Sequence, residues 1–235
     1  MITQKLKSVL ASVAVSALFA GPLWAGDNPV VVELYTSQGC SSCPPADAIL
    51  HDLAKRDDVI ALAFHVDYWD YIGWKDEFAD PAHTGRQRTY ARIAGRRSIY
   101  TPEMIIGGQD SVVGARAMDI VDSIQKQARH ESGVSVDLAR VGESIQISAQ
   151  SSKATKPMTV QLLRFQAKRD VRITRGENAG KNISYANVVQ DWQVLGEWSG
   201  KNALDLKVKA PGDMPVVVLL QTKGQGRILA AAQLR

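Results

Sequence analysis

The sequence predicts an α/β domain followed by an antiparallel β-rich domain, and a change of pattern along its 235 residues indicates this order. Between residues 26 and 132, β-branched apolar runs alternate with helical stretches, as in a sheet flanked by helices. From residue 133 onwards, seven short alternating segments are separated by turns, which is typical of an antiparallel β-sandwich. The composition, 45% hydrophobic and 22% charged, excludes collagen-like, coiled-coil and disordered chains.

The first 25 residues have the features of a secretory signal peptide. Lys5 and Lys7 precede an uncharged apolar run at residues 8–19, and the small residues Ala20 and Ala25 follow it. The run is shorter than the stretch of about 20 residues that spans a bilayer. We therefore predict cleavage after Ala25 and export to the periplasm or beyond the cell, with no stable membrane insertion.

The basic character of the chain comes partly from this leader. Cleavage would remove two lysines and no acidic residue, which lowers the formal net charge from +4 to +2. A basic cluster remains, but its spacing is typical of a solvated helix face rather than of a nucleic-acid motif, so we expect no nucleic-acid partner. The cluster consists of Arg86, Arg88, Arg92, Arg96 and Arg97.

The elements of the first domain follow in the order strand, helix, strand, helical insertion, two strands, helix. Apolar residues at Ala46, Ile49, Leu50 and Leu53 have helical spacing, whereas the flanking runs are short and β-branched. The predicted bounds are a strand at 30–36, a helix at 40–56, a strand at 59–66, one or two helices within 67–95, two short strands around a Gly107-Gly108 turn within 103–114, and a helix at 115–128.

The second domain, residues 133–235, contains no cluster of Cys, His or Met, and a packing or partner-binding module is the favoured interpretation. The turn-rich stretch 175–181 is favoured as a plain hairpin loop, with an anion-binding nest as the alternative. The predicted strands are 134–141, 144–150, 158–165, 192–198, 203–210, 216–222 and 227–234.

Cys40 and Cys43, the two cysteines of the chain, lie where the first predicted strand enters the first predicted helix. Residues three apart on a first helical turn share a face, so their Cα atoms can reach the spacing that a disulfide needs. The helix N-terminus favours an ionised thiol at Cys40. In an exported protein this pair is oxidised unless it is kept reduced, and a catalytic bridge, a static bridge and half of a mixed metal site all remain open.

Four further side chains are candidates for lining a substrate groove beside the cysteines. His65, Asp67, Trp69 and Trp74 lie at or beyond the C-terminal end of the second predicted strand, the edge at which open α/β sheets place their sites. His65 is a candidate for stabilising a thiolate or, with Asp67, for completing a metal site. A hydrogen-bonded structural histidine is favoured, so no metal is expected. The aromatic insertion is equally compatible with packing at a domain interface.

Thr101-Pro102 immediately precedes the predicted strand at 104–106, and an X-Pro bond can adopt the cis form. Together with the first strand, the CxxC helix, the hairpin and the closing helix, it resembles the thioredoxin fold over about residues 30–128. The stretches VVVELYTSQGCSSCPPAD, HVDYWDYIGWKDEFADP and RGENAGKNISYANVV also resemble the secreted bacterial family of proteins of unknown function numbered 1223. Members of that family join a thioredoxin-like domain to a β-rich domain.

The resemblance to thioredoxins implies a role for each matching residue. Cys40 resembles the attacking thiol and Cys43 the resolving thiol, and no cofactor other than this redox-active disulfide is implied. Pro102 resembles the cis-proline that faces the disulfide, and Thr101 would offer its backbone to an extended substrate. Glu33 resembles the buried acid that relays a proton to the resolving thiol, although thioredoxins carry Asp there.

These observations predict an exported thiol-disulfide oxidoreductase whose partners are protein or small-molecule thiols and disulfides. The alternative is a secreted binding or scaffold protein with a structural bridge, but a short CxxC loop offers little entropic stabilisation. A third hypothesis is copper or zinc handling through Cys40, Cys43 and His65.

Overall fold

The computed structural model describes residues 28–153 and 156–235, so the predicted signal peptide and its cleavage site lie outside the described residues. Within these ranges the chain forms an eight-stranded mixed sheet, a three-stranded antiparallel sheet and three α-helices. None of the helices in the described ranges has the length and apolar character needed to cross a membrane.

Every strand and helix that the sequence predicted in the first half is present. α1 begins at Pro44, later than predicted, because residues 40–43 form turns and prolines suit a first helical turn. A short 3-10 helix, Asp70–Ile72, accompanies α2 in the insertion. The elements are β1 (Val30–Thr36), α1 (Pro44–Leu53), β2 (Val59–His65), α2 (Pro81–Ile93), β3 (Glu103–Ile106), β4 (Asp110–Val113) and α3 (Ala117–Ala128).

All seven strands that the sequence predicted in the second half are also present. Two of them are much longer than predicted, at 15 and 17 residues, and form a hairpin around residues 173–181. The strands are β5 (Val134–Val141), β6 (Ser144–Ser151), β7 (Met158–Arg172), β8 (Asn182–Trp198), β9 (Leu204–Lys209), β10 (Val216–Thr222) and β11 (Ile228–Leu234).

The eight-stranded sheet joins the two halves of the chain in the order β11-β10-β7-β8-β2-β1-β3-β4. β8 pairs with β2 in parallel at Val188 and Ala63. Beside this junction, Asn187 Nδ2 donates to the carbonyl of Ala61 at 2.8 Å. The sequence predicted a separate β-sandwich after residue 133. Instead, β8 from the second half of the chain hydrogen-bonds to the backbone groups at the free edge of β2. The domain boundary at residue 133 stays a prediction.

Side chains of β1 alternate between two cores, one on each face of the sheet. Val32 and Leu34 pack in the cluster that contains Leu50 of α1. Val31 and Tyr35 pack in a different cluster, on the side of α2. The strands β5, β6 and β9 form the second sheet, which packs on β7 and β10 through a third apolar cluster.

The C-terminal ends of the two central parallel strands meet at one edge of the large sheet. Thr36 at the end of β1 pairs with His65 at the end of β2. The chain leaves this edge from β1 into residues 37–43, the cysteine turn, and from β2 into residues 66–80, the aromatic insertion. The fold therefore brings both sequence-predicted groups of site residues to the same edge.

Candidate functional site

Cys40 and Cys43 form a disulfide with a Cα–Cα distance of 5.4 Å, so the spacing expected from the sequence is confirmed. Cys43 is the N-cap of α1, and its carbonyl accepts from the amides of Ala46 and Asp47 at 2.8 and 3.1 Å. Cys40 and Cys43 are 1% and 0% exposed, whereas the intervening serines are exposed. The bridge therefore lies just below the surface and is closed to solvent.

The turn before Cys40 is held from three directions through Gln38, which is wholly buried. Its amide donates to Asp76 Oδ2 at 2.8 Å, and its side-chain oxygen accepts from Trp74 Nε1 at 2.7 Å. Asn178 Nδ2 donates to the Gln38 carbonyl at 2.8 Å and to the Cys40 carbonyl at 3.0 Å. Contacts from the insertion and from the second half of the chain thus fix the cysteine turn.

Trp69 connects the cysteine turn to the segment before β3. Its Nε1 donates to Thr101 Oγ1 at 2.7 Å, and a Cβ atom added at Gly39 would lie 3.2 Å from Trp69 Cβ. The Thr101-Pro102 peptide bond is cis. A Cβ atom added at Gly114 would lie 3.1 Å from Pro102 Cβ and 3.0 Å from the Cβ of Ala46, so Pro102 lies beside the first turn of α1. Its van der Waals contact with the sulfurs stays a prediction.

His65 forms a wholly buried pair with Asp76 below the cysteine turn, with 2.7 Å between His65 Nδ1 and Asp76 Oδ2. The His65 ring also contacts the rings of Phe78 and Tyr185 edge-on, at centroid distances of 5.1 and 4.8 Å. Burial acts to raise the pKa of Asp76, but the charge of His65 and the hydrogen bonds from His65 and two backbone amides outweigh it and hold the pKa below its usual value. His65 is therefore a hydrogen-bonded core residue, as the sequence favoured.

A second buried carboxyl, Asp47, lies one helical turn after Cys43 on α1 and is 3% exposed. Its Oδ1 accepts from Thr36 Oγ1 at 2.8 Å, and its Oδ2 has no hydrogen-bond partner among the described residues. Burial raises the pKa of Asp47 to about 7, against the opposing effects of the His65 charge and the Thr36 hydrogen bond. A carboxyl with this pKa exchanges protons near neutral pH.

Glu33 lies on the opposite face of the sheet from α1, because it shares the alternation of Val31 and Tyr35 along β1. Arg86 of α2 donates to both of its carboxylate oxygens, at 3.0 and 2.7 Å. This placement does not fit the expected role of Glu33 as the proton relay of Cys43. It also corrects the expectation that Arg86 is solvated, since Arg86 is 2% exposed.

The remaining candidates for the substrate groove, Asp67, Trp69 and Trp74, lie in different surroundings. Trp74 donates to the side-chain oxygen of Gln38, and Trp69 packs beside Gly39, whereas Asp67 accepts from Thr84 Oγ1 of α2 at 2.5 Å. The substrate groove that these side chains would line stays a prediction. Among the described residues, no group of three His, Cys, Asp or Glu side chains is placed to hold a metal ion. His65 Nδ1 is already occupied by Asp76.

Sequence reasoning missed three residues of this site. Asp47 could have been identified from the sequence, because it lies four residues after Cys43 and therefore on the same face of α1, beside the apolar stripe. Asp76 and Asn178 carried no local signal, because they come from an irregular insertion and from a hairpin loop. That loop, at residues 173–181, connects β7 and β8.

A family model described as a protein of unknown function, DUF1223, matches residues 31–221. A crystal structure of a protein from Agrobacterium tumefaciens has a TM-score of 0.78 and 34% identity, covering 89% of this chain and 96% of that one. HBP35 of Porphyromonas gingivalis has a TM-score of 0.62 at 13% identity, covering 88% of this chain and 75% of its own, which is a likeness of fold alone.

No curated protein sequence matches this chain significantly. The family match spans most of the chain, including the cysteine turn, the insertion and the loop that carries Asn178. The resemblance of the sequence to family 1223 is thereby confirmed, and the chain belongs to the DUF1223 family of proteins of unknown function.

Proposed function

We propose that this protein is an exported thiol-disulfide oxidoreductase that acts through Cys40 and Cys43. The observation that carries the proposal is a disulfide at the N-cap of α1 with a buried carboxyl of pKa about 7 one turn further along the helix. The N-terminus of α1 stabilises a thiolate at its N-cap, Cys43, when the bridge opens, and the Asp47 carboxyl supplies a proton-exchanging group. The substrates are protein or small-molecule thiols and disulfides, and the redox-active disulfide is the only cofactor.

The reaction consists of two thiol-disulfide exchanges. A substrate thiolate attacks the Cys40 sulfur, a substrate–Cys40 bond forms, and the Cys40–Cys43 bond breaks with its electron pair leaving on the Cys43 sulfur. A second substrate thiolate then attacks the substrate sulfur of this mixed disulfide and releases Cys40 as a thiolate. The substrate dithiol is oxidised by two electrons and the protein bridge is reduced. The reverse sequence reduces a substrate disulfide.

We assign to Asp47 the proton-relay role that the resemblance gave to Glu33. Protonated Asp47 donates its proton to the departing Cys43 thiolate, and the resulting carboxylate takes the proton back when the bridge reforms. Its pKa of about 7 is close to neutral and below the usual value for a thiol, about 8.5, so transfer is possible in both directions. Thr36 holds one carboxyl oxygen, which leaves the other free for the transfer.

The arrangement of strands supports a thioredoxin-like first half. β1 lies between parallel β2 and antiparallel β3, and the chain continues through β4 to α3. The packing of the second sheet on β7 and β10 supports a sandwich-like second half, as a module that carries no redox group of its own.

A structural bridge in a binding or scaffold protein is the second candidate, and the burial of both cysteines favours it. The reduction potential separates the two, because a static secreted disulfide typically lies below about −300 mV and a catalytic one lies higher. Equilibration of the protein with thiol–disulfide buffers of known potential measures this directly.

Trapping tests the proposed reaction. We expect a Cys43→Ser variant to accumulate mixed disulfides on Cys40, because the resolving thiol is absent, and mass spectrometry identifies the attached partners. The matched Cys40→Ser variant retains one thiol but should trap far less. If Cys43→Ser collects no adducts and the native protein does not accelerate dithiol exchange, the oxidoreductase proposal is wrong.

A further inference from the structure

The loop between β7 and β8, residues 173–181, folds onto the cysteine turn from the second half of the chain. The amide of Ile173 donates to the Lys181 carbonyl at 2.9 Å, and the amide of Gly180 donates back to the Ile173 carbonyl at 2.8 Å, which closes the loop. Gly176 has a positive φ of 73°, and a Cβ atom added there would lie 3.2 Å from Trp74 Cβ. The loop is thus a closed hairpin end that packs closely on the insertion.

Asn178 is the residue of this loop that reaches the redox centre, and it is 1% exposed. Its Nδ2 donates to the carbonyls of Gln38 and Cys40, from which it is separated by 140 and 138 positions in sequence. Lys181 Nζ donates to its Oδ1 at 2.8 Å. The orientation of the amide follows from these partners, since carbonyls only accept and an ammonium only donates. The Nδ2 end of the side chain therefore holds the cysteine turn, and Lys181 fixes the other end within the loop.

The closed bridge requires a movement before any exchange can occur. A substrate sulfur must reach the Cys40 sulfur, but Cys40 is 1% exposed while its neighbours Ser41 and Ser42 are exposed. The segment 38–40 is held by Asp76 and Trp74 of the insertion and by Asn178. Of these contacts, the two Asn178 bonds act on the carbonyls of the turn itself, one of them on Cys40.

We propose that Asn178 is a positioning residue of the disulfide centre, and that its two hydrogen bonds latch segment 38–40 closed and limit access to the Cys40 sulfur. The inference rests on the proposed function and names its regulation: a partner that displaces the β7–β8 loop opens the centre. Two neutral hydrogen bonds of ordinary net strength correspond to about a thirtyfold change in an opening equilibrium. Loss of Asn178 should therefore speed attack on the bridge.

Reduction of the oxidised protein by dithiothreitol tests the latch. The reagent is oxidised to its cyclic disulfide while the bridge gains two electrons and two protons, and alkylation followed by mass spectrometry counts the free thiols. We expect Asn178→Ala to be reduced about thirtyfold faster than the native protein. Lys181→Met, which removes only the partner of Oδ1, should give a smaller acceleration. Glu177→Ala, an exposed residue of the same loop, is the control and should match the native rate.

Urea distinguishes local opening from general unfolding. Local release of the loop exposes little surface, so the Asn178→Ala rate should change little in urea concentrations well below the unfolding transition. The latch is refuted by an unchanged or slower rate, by equal acceleration in Glu177→Ala, or by an acceleration that rises with urea as global unfolding does. None of these results depends on catalysis of substrate exchange, so failure of the latch and failure of the oxidoreductase proposal are separate outcomes.

Discussion

The two faces of β1 each bury a carboxyl group, and the surroundings of the two groups differ sharply. On the α2 face, Glu33 accepts four hydrogen bonds, two from Arg86 and one each from Tyr35 and Tyr90. On the α1 face, Asp47 accepts one side-chain hydrogen bond, from Thr36, and its second oxygen has no partner among the described residues.

The difference separates a structural charge from a group that can exchange protons. Burial acts to lower the pKa of Arg86, but the charge of Glu33 outweighs it and raises the pKa, so the guanidinium stays charged. Gln161 and Gln221 accept further hydrogen bonds from the same guanidinium. The burial of Asp47 lacks such compensation, which is why its pKa rises to about 7. The Glu33–Arg86 pair thus stabilises one face of β1, and Asp47 of α1, the carboxyl that we propose as the proton relay, lies on the other face.

The largest effect is expected from removing the charge of Glu33. Glu33→Gln leaves the buried guanidinium of Arg86 without its counter-charge, which should lower the free energy of unfolding by about 3–5 kcal/mol. The double variant Glu33→Gln/Arg86→Met removes both charges and should recover most of that loss. Urea denaturation of the oxidised protein measures both changes. A loss below about 1 kcal/mol in the single variant would mean that the pair is not a principal stabilising contact of this face.

Asp47→Asn should have a smaller effect that depends on pH. The pKa of Asp47 is about 7 in the folded protein and about 3.9 in the unfolded chain. Between about pH 3.9 and pH 7, Asp47 is deprotonated in the unfolded chain but still protonated in the folded protein. The free energy of unfolding therefore falls as pH rises through this range, by up to about 4 kcal/mol. The variant lacks this contribution, and its stability relative to the native protein should increase from pH 4 to pH 7.

Urea denaturation at several pH values measures this difference, with Asp52→Asn as the control on the same helix, since Asp52 is exposed. The charged and titratable neighbours His65, Asp76 and Tyr185 are present in native protein and variant alike, so their contributions largely cancel. The exchange rate of Asp47→Asn should also lose its inflection near pH 7. A relative stability that is constant across the window would remove Asp47 as the proton relay.

Much of the fold could be predicted from the sequence, because strands, helices and turns depend mainly on residues close together in the chain. The bounds of β1 were predicted correctly, and the short strands around Gly107-Gly108 are present where the turn indicated. The pairing of β8 with β2 was not readable, since a strand carries no mark of which distant edge it will join. Alternation along β1 separates Glu33 from its neighbours, but which face α1 covers depends on the tertiary fold.

The residues of the candidate site also divide into those that the sequence predicts and those that only the tertiary fold brings together. The spacing of Cys40 and Cys43 at a strand–helix junction indicated that they can form a disulfide, and the resemblance to thioredoxins supplied their expected roles. Asp47 was within reach of the same helical reasoning. Asn178 contacts Cys40 across 138 positions, so a single sequence without a structure offers no way to connect them. Local pattern therefore supplies the CxxC pair, and the tertiary fold adds the buried contacts that surround it.

The smallest and sharpest comparison uses two adjacent residues, Tyr35 and Thr36, each of which donates one hydroxyl to a buried carboxyl on its own face. Tyr35→Phe leaves Glu33 bonded to Arg86 and Tyr90, so we expect a loss at the low end of the range for a charged acceptor, about 1.5 kcal/mol, that varies little with pH. Thr36→Val removes the hydroxyl that holds the pKa of Asp47 down, so this pKa should rise further above about 7. Asp47 is ionised at pH 8 and protonated at pH 5, and a hydrogen bond to a charged group is the stronger kind, about 1.5–3 kcal/mol. Thr36→Val should therefore lose more stability at pH 8 than at pH 5.

Titration of the Asp47 carboxyl by carbon NMR, with urea denaturation at both pH values, measures the two variants side by side. Equal pH dependence in Tyr35→Phe and Thr36→Val would mean that the two faces do not differ in proton exchange.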